Sequence, residues 1–153
     1  VQPQMIEVVP VLHRLTQQLI PMIDADTSAF NEYMVGLKMP RSTEKEKKAR
    51  IAKMQAGLKT AIQVPLTTMR LGNEAWDALI EVARYGNPAS KSDTQVGAKA
   101  LETGIWGAYQ NVLINMQTVK DEEYKQQTLA EAENIAERAR EKCEQVLQIL
   151  ETI

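Results

Sequence analysis

The 153-residue sequence predicts an all-α fold, an antiparallel helical bundle with long helices kinked by prolines, and two observations carry that expectation. Apolar residues recur at three- and four-residue spacing through nearly every segment, while no stretch alternates in the two-residue rhythm of a half-buried strand. The segments so marked are joined by short connections, which lay successive helices antiparallel.

The first helical region runs from about Met5 to Leu37. Pro10 and Pro21 lie inside it and are expected to kink or split it, since each removes a backbone donor and crowds the preceding turn. Met39-Pro40 ends it. Thr43-Glu44-Lys45-Glu46 then reads as a capping box, a threonine N-cap with an acid three residues on, opening a helix that runs to about Val64. Pro65 is expected to interrupt that helix before its pattern resumes through Arg84, and Gly86-Asn87-Pro88 stops it. Ser92-Asp93 is read as the cap of the next helix, reaching about Val119, and Asp121 as the cap of the last. On that last helix Leu129, Ala132, Ile135, Ala136, Ala139, Cys143, Val146 and Leu150 form one apolar stripe. No repeat, low-complexity stretch or long linker divides residues 1–153, which are read as one domain.

Composition removes several function classes. With 18 basic against 20 acidic side chains, the chain has no electrostatic footprint for nucleic acid. No apolar run has the length to cross a bilayer, so no membrane role is expected. Cys143 is the only cysteine, which rules out an internal disulfide and points to a reducing cytoplasm. One cysteine and one histidine, His13, cannot furnish a typical zinc site, and neither GxGxxG nor a P-loop motif is present. The chain opens Val-Gln-Pro-Gln without Met, which points to natural sequence ahead of it.

The residue that stands out is Asp26. Leu15, Leu19, Met22, Ile23, Phe30, Tyr33, Met34 and Leu37 share a stripe by their spacing, and Asp26 falls inside it, whereas Asp24 shares the polar side with Ser28 and Asn31. A carboxylate on an apolar face loses solvation, which favours its neutral form and suits it to proton transfer. The same placement fits an acid paired with a base or a helix end inside the bundle. In the helix after Ser92, Gly97, Ala100, Gly104, Ala108, Asn111 and Asn115 share a face, with Gly107 beside it. Each glycine costs a helix roughly 1 kcal/mol relative to alanine, so the series implies a steric need, either close helix packing or room for a flat ligand. Asn111 and Asn115 extend that face with amides able to bind a ligand edge or another helix. Lys38, Arg41, Lys45, Lys47, Lys48, Arg50 and Lys53 form the densest basic stretch, read as a solvated face or a seat for an acidic substrate tail. Trp76 and Trp106 are read as core or interface anchors.

Ile23-Asp24-Ala25-Asp26 with Ala29-Phe30, then Met39-Pro40, Val64-Pro65-Leu66, Gly86-Asn87, Ser92-Asp93 and the run from Gly107 to Asn115 resemble, in order and spacing, the cyclodeaminase domain of the formimidoyltransferase-cyclodeaminase family. The resemblance runs from near Met5 to the C-terminus. It implies a lyase that releases ammonia from 5-formiminotetrahydrofolate to give 5,10-methenyltetrahydrofolate, in one-carbon metabolism at the folate-linked end of histidine degradation. It further implies Asp26 as the proton acceptor, a folate substrate with or without a polyglutamate tail, no metal or organic cofactor, a homodimer or larger ring, and a fused formimidoyltransferase domain in some members. Ser92, Asn111 and Asn115 are then expected to orient the substrate, with Lys38 and Arg41 near its acidic tail. Two alternatives stay open: a methenyltetrahydrofolate cyclohydrolase, which related single-domain proteins resemble, and a non-catalytic helical interaction module. Family members open with a Gly-rich helical segment ahead of the matching region, and these residues show none.

Overall fold

The computed structural model describes residues 3–152, in which four long helices follow one another: α1 (Pro3–Lys38), α2 (Glu44–Tyr85), α3 (Lys91–Met116) and α4 (Glu122–Glu151). A 3-10 turn, Pro88–Ser90, precedes α3, and no strand occurs among the described residues. The all-α expectation holds.

Local signals place most helix ends. The capping box forms: Thr43 Oγ1 accepts from the Glu46 amide at 3.2 Å, and Glu46 Oε2 accepts from the Thr43 amide at 2.9 Å. Asp121 accepts from the Tyr124 amide and caps α4. The Arg50 guanidinium donates to the Leu37 carbonyl at 3.3 Å, closing one of the acceptors that the end of α1 leaves open. Two expectations are corrected here. Ser92 and Asp93 do not cap α3; Asn87 caps the 3-10 turn, accepting from the Ala89 amide, and α3 continues from that turn at Lys91. Proline does not divide α1 or α2, both of which run continuously past Pro10, Pro21 and Pro65. A helix clamped by neighbours along its length tolerates one missing donor, provided the freed carbonyl finds another.

α2 is the central element and packs against all three others, so its buried face is broader than that of any other helix and runs from Gly57 to Ala83. Leu58, Ile62, Leu66, Met69 and Trp76 of α2 meet Ile105, Val112 and Met116 of α3 and Ala132, Cys143 and Val146 of α4 in one core. The α4 stripe is confirmed, with Leu129 and Ala136 at its half-buried margins. A polar seam flanks the α2–α4 contact. Lys59 pairs with Asp121, Gln63 donates to the Tyr124 hydroxyl, Arg70 grips Glu131 and Lys142 reaches Asp77. Residue numbers rise together along that seam, so α2 and α4 run parallel, as they must when successive helices are antiparallel.

α1 is different, because among the described residues α2 is the one helix packed against it. A helix with one neighbour buries a narrow seam rather than a broad stripe. Val8, Leu15, Ala29 and Gly36 are the buried residues of α1, spaced in sevens with half-buried Met22 completing the series. The wider stripe expected from periodicity is therefore corrected: Ile23 is 72% exposed and Phe30 59%.

Candidate functional site

α1 and α3 stand on either side of α2, and between them runs an open groove of about 300 Å³. α1 contributes Leu19, Met22 and Asp26, α2 forms the floor with Val64, Pro65 and Thr68, and α3 supplies Gly104, Ala108 and Asn111. Asp26 lies one turn beyond Met22, at the shoulder of the seven-residue seam, which turns its carboxylate toward the groove mouth instead of the core. It is exposed, so the desolvation expected of a buried stripe is not provided by this chain's own helices.

A smaller recess of about 220 Å³ continues the groove. Phe30 and Tyr33 lie one to two turns beyond Asp26 on α1, and Asn115 lies one turn beyond Asn111 on α3. Of the expected site residues, the fold thus brings Asp26 and Asn111 to one groove and Asn115 to its extension. Lys38 and Arg41 lie at the far end of α1 and in the turn after it, with Lys38 about 18 Å along the axis from Asp26. Ser92 is exposed in the first turn of α3, about 28 Å along that helix from Asn111. None of these three lines the groove or its recess.

The glycines of α3 receive an answer. A Cβ added at Gly97, Gly104 or Gly107 would meet nothing within 4 Å, so no packing within this chain requires them. Room at the groove wall remains as the local reason at Gly104. Val64, Pro65 and Thr68 were not singled out as site residues, although a proline within a helix signals a carbonyl without its donor. That carbonyl is Ala61 O, and Asn115 Nδ2 donates to it from α3 at 3.2 Å.

Elsewhere several charged and titratable groups have structural explanations. The basic stretch is a solvated face, with Lys47 paired to Glu44 and Lys53 near Glu32. Burial pushes the Cys143 thiol up, with Glu102 acting in the same direction, so this cysteine is a core thiol rather than a nucleophile. Lys99 in turn holds the Glu102 carboxyl below its ordinary range. Trp76 is wholly buried, whereas Trp106 is 60% exposed beside a second groove between α3 and α4. No group of three or more potential metal ligands gathers among the described residues, and no described helix is long and apolar enough to cross a membrane.

Fold and groove together define an all-helical bundle in which an open, largely apolar cleft is lined by a single carboxylate, Asp26, and a carboxamide, Asn111. Residues 1–134 match the family model described as formiminotransferase-cyclodeaminase, and the chain belongs to that family. It is 44% identical over 144 residues to the formimidoyltransferase-cyclodeaminase of Gallus gallus, a match covering 94% of this chain and 27% of that protein. It is 36% identical over 121 residues to the methenyltetrahydrofolate cyclohydrolase of Methylorubrum extorquens, covering 79% and 58% of the two chains. The crystal structure of formiminotetrahydrofolate cyclodeaminase from Thermotoga maritima superposes with a TM-score of 0.85 at 26% identity, over 99% of this chain and 72% of that one. The chain spans about a quarter of the length of the formimidoyltransferase-cyclodeaminases it matches.

Proposed function

We propose that this chain is a cyclodeaminase domain that converts 5-formiminotetrahydrofolate to 5,10-methenyltetrahydrofolate and ammonia, with Asp26 as the acid and base. The observation that carries the reading is that Asp26 and Asn111, from different helices, line one groove in a chain of this family. N10 of the folate attacks the protonated formimino carbon, giving that carbon its second bond to the folate and a tetrahedral centre that bears N5, N10 and the amino group. Asp26 takes the N10 proton and returns it to the amino group on the same carbon. Ammonia then leaves as its C–N bond breaks, and the positive charge remains on the methenyl bridge. One carboxylate serves both transfers without net change, and the reaction so written calls for no cofactor.

Proton transfer by a carboxylate is most effective where water is excluded, which the isolated groove does not provide. Ile23 and Phe30, both more than half exposed, lie one turn to either side of Asp26 on α1, with Ile20 exposed further along the helix, and favour a homo-oligomer in which a second copy covers this helix. Fusion to a formimidoyltransferase domain and binding of polyglutamate tails belong to the same reading of the whole protein.

Asp26→Asn keeps the shape of the side chain and removes its basicity. Turnover of 5-formiminotetrahydrofolate should fall by about 10²- to 10⁴-fold in a protein that melts as the wild type does. Ammonia release within tenfold of wild type would overturn the assignment. Because one relative is named a cyclohydrolase, hydrolysis of 5,10-methenyltetrahydrofolate is measured alongside, and faster hydrolysis than ammonia release would reassign the reaction.

A further inference from the structure

Pro65 has no N–H, so the carbonyl of Ala61, one turn earlier in α2, lacks the helical donor that every other residue type would supply. Ala61 is buried, and a buried acceptor left without a partner is costly. Asn115 of α3 closes it, donating Nδ2–H to Ala61 O at 3.2 Å. This bond sets the direction of the amide. A carboxamide is nearly symmetric in shape, and only its partners decide which end faces which way. Turned over, Asn115 would set Oδ1 against the carbonyl oxygen, acceptor against acceptor. With Nδ2 held by α2, Oδ1 is the free end of the amide among the described residues, and Asn115 lines the recess together with Phe30 and Tyr33. The recess therefore offers an acceptor of fixed position beside an exposed aromatic ring, a pairing suited to a flat heterocycle that carries N–H donors on its edge.

We propose that Asn115 is a specificity-determining residue whose Oδ1, oriented by the carbonyl that Pro65 leaves open, accepts a hydrogen bond from the donor edge of the substrate's pterin ring while Phe30 covers the ring face. This rests on the folate reading above. The pterin has N–H and amino donors on the edge remote from its reacting nitrogens, so one end of the substrate occupies the recess as the other reaches Asp26.

Proline itself supplies the means to separate recognition from packing. Pro65→Ala returns an N–H to α2, so Ala61 O is satisfied within the helix whether or not Asn115 is present. Four proteins are compared by thermal melting and by calorimetric titration with 5-formyltetrahydrofolate: wild type, P65A, N115A and P65A/N115A. N115A should melt lower and bind about tenfold more weakly. The double variant should melt as P65A does yet still bind about tenfold more weakly than P65A, because the acceptor is gone although the carbonyl is satisfied. Binding by P65A/N115A within twofold of P65A would overturn the proposal and leave Asn115 a packing residue. A wild type that binds no folate would instead overturn the folate reading itself.

Discussion

Gly57 of α2 lies directly against the backbone of Tyr33 in α1: a Cβ at Gly57 would stand 2.8 Å from the Tyr33 nitrogen and 2.9 Å from its Cα. Backbone cannot rotate aside as a side chain can, so this position sets the distance between α1 and α2 and with it the placement of the Asp26 shoulder.

Gly57→Ala should therefore destabilise the protein by about 1–3 kcal/mol through overpacking, despite alanine's better helix propensity. Gly97→Ala makes the opposite prediction, since its Cβ would enter open space and the helix gains up to about 1 kcal/mol. Urea midpoints measured on the two variants should move in opposite directions. Equal shifts of either sign would contradict the close contact.

Trp76 is fully buried with its indole N–H lacking a partner among the described residues, so its contribution is that of an apolar anchor. Trp76→Ala should cost about 3–5 kcal/mol, whereas Trp76→Phe should cost at most about 1.5 kcal/mol, because losing the unsatisfied donor offsets part of the lost volume. Chemical denaturation of both variants checks the ratio. A similar loss in each would mean that the N–H has a partner, such as a bound water.

Acid should loosen the α2–α4 seam. The Arg70 guanidinium, 2.6 and 2.7 Å from the two Glu131 oxygens, holds that carboxyl below its ordinary range. A carboxyl lowered in the folded state takes up protons more readily when unfolded, so its contribution is complete above the unfolded value, roughly pH 4, and disappears as pH falls through the lower folded one. Both side chains are more than two-fifths exposed, which limits the contribution to less than about 1 kcal/mol. Glu131→Gln should flatten the decline of the urea midpoint between roughly pH 5 and pH 3. An unchanged slope in that variant would assign the acid sensitivity to other carboxyls, such as Asp121 held low by Lys59.

Ile23 is 72% exposed beside Asp26, so within a single chain Ile23→Lys should barely alter stability. If a second copy covers α1, the same change buries a charge at the interface. Light scattering should then show an oligomeric wild type and a variant shifted toward the monomer, with turnover reduced alongside. A variant of unchanged mass and activity would place the contact on another face.

The sequence by itself determined what depends on neighbours within one or two turns. The helical class, the capping box of Thr43 and Glu46, the Asp121 cap, the stop at Gly86-Asn87-Pro88 and the α4 stripe all rest on local hydrogen bonds or on periodicity along one helix. Asp26 and Asn111 were also identifiable as residues of interest, and they meet in one groove. Their surroundings were decided by tertiary structure alone. Periodicity shows which residues share a face but not how many helices cover it, and α1 has one neighbour, so Asp26 lies at an open shoulder instead of in a core. Lys38, Arg41 and Ser92 show the same limit, because distances between remote residues follow from helix length and packing. The bond from Asn115 to Ala61 carries it furthest: Pro65 announces an unmet carbonyl in the sequence, and only the packing of α3 on α2 shows what meets it.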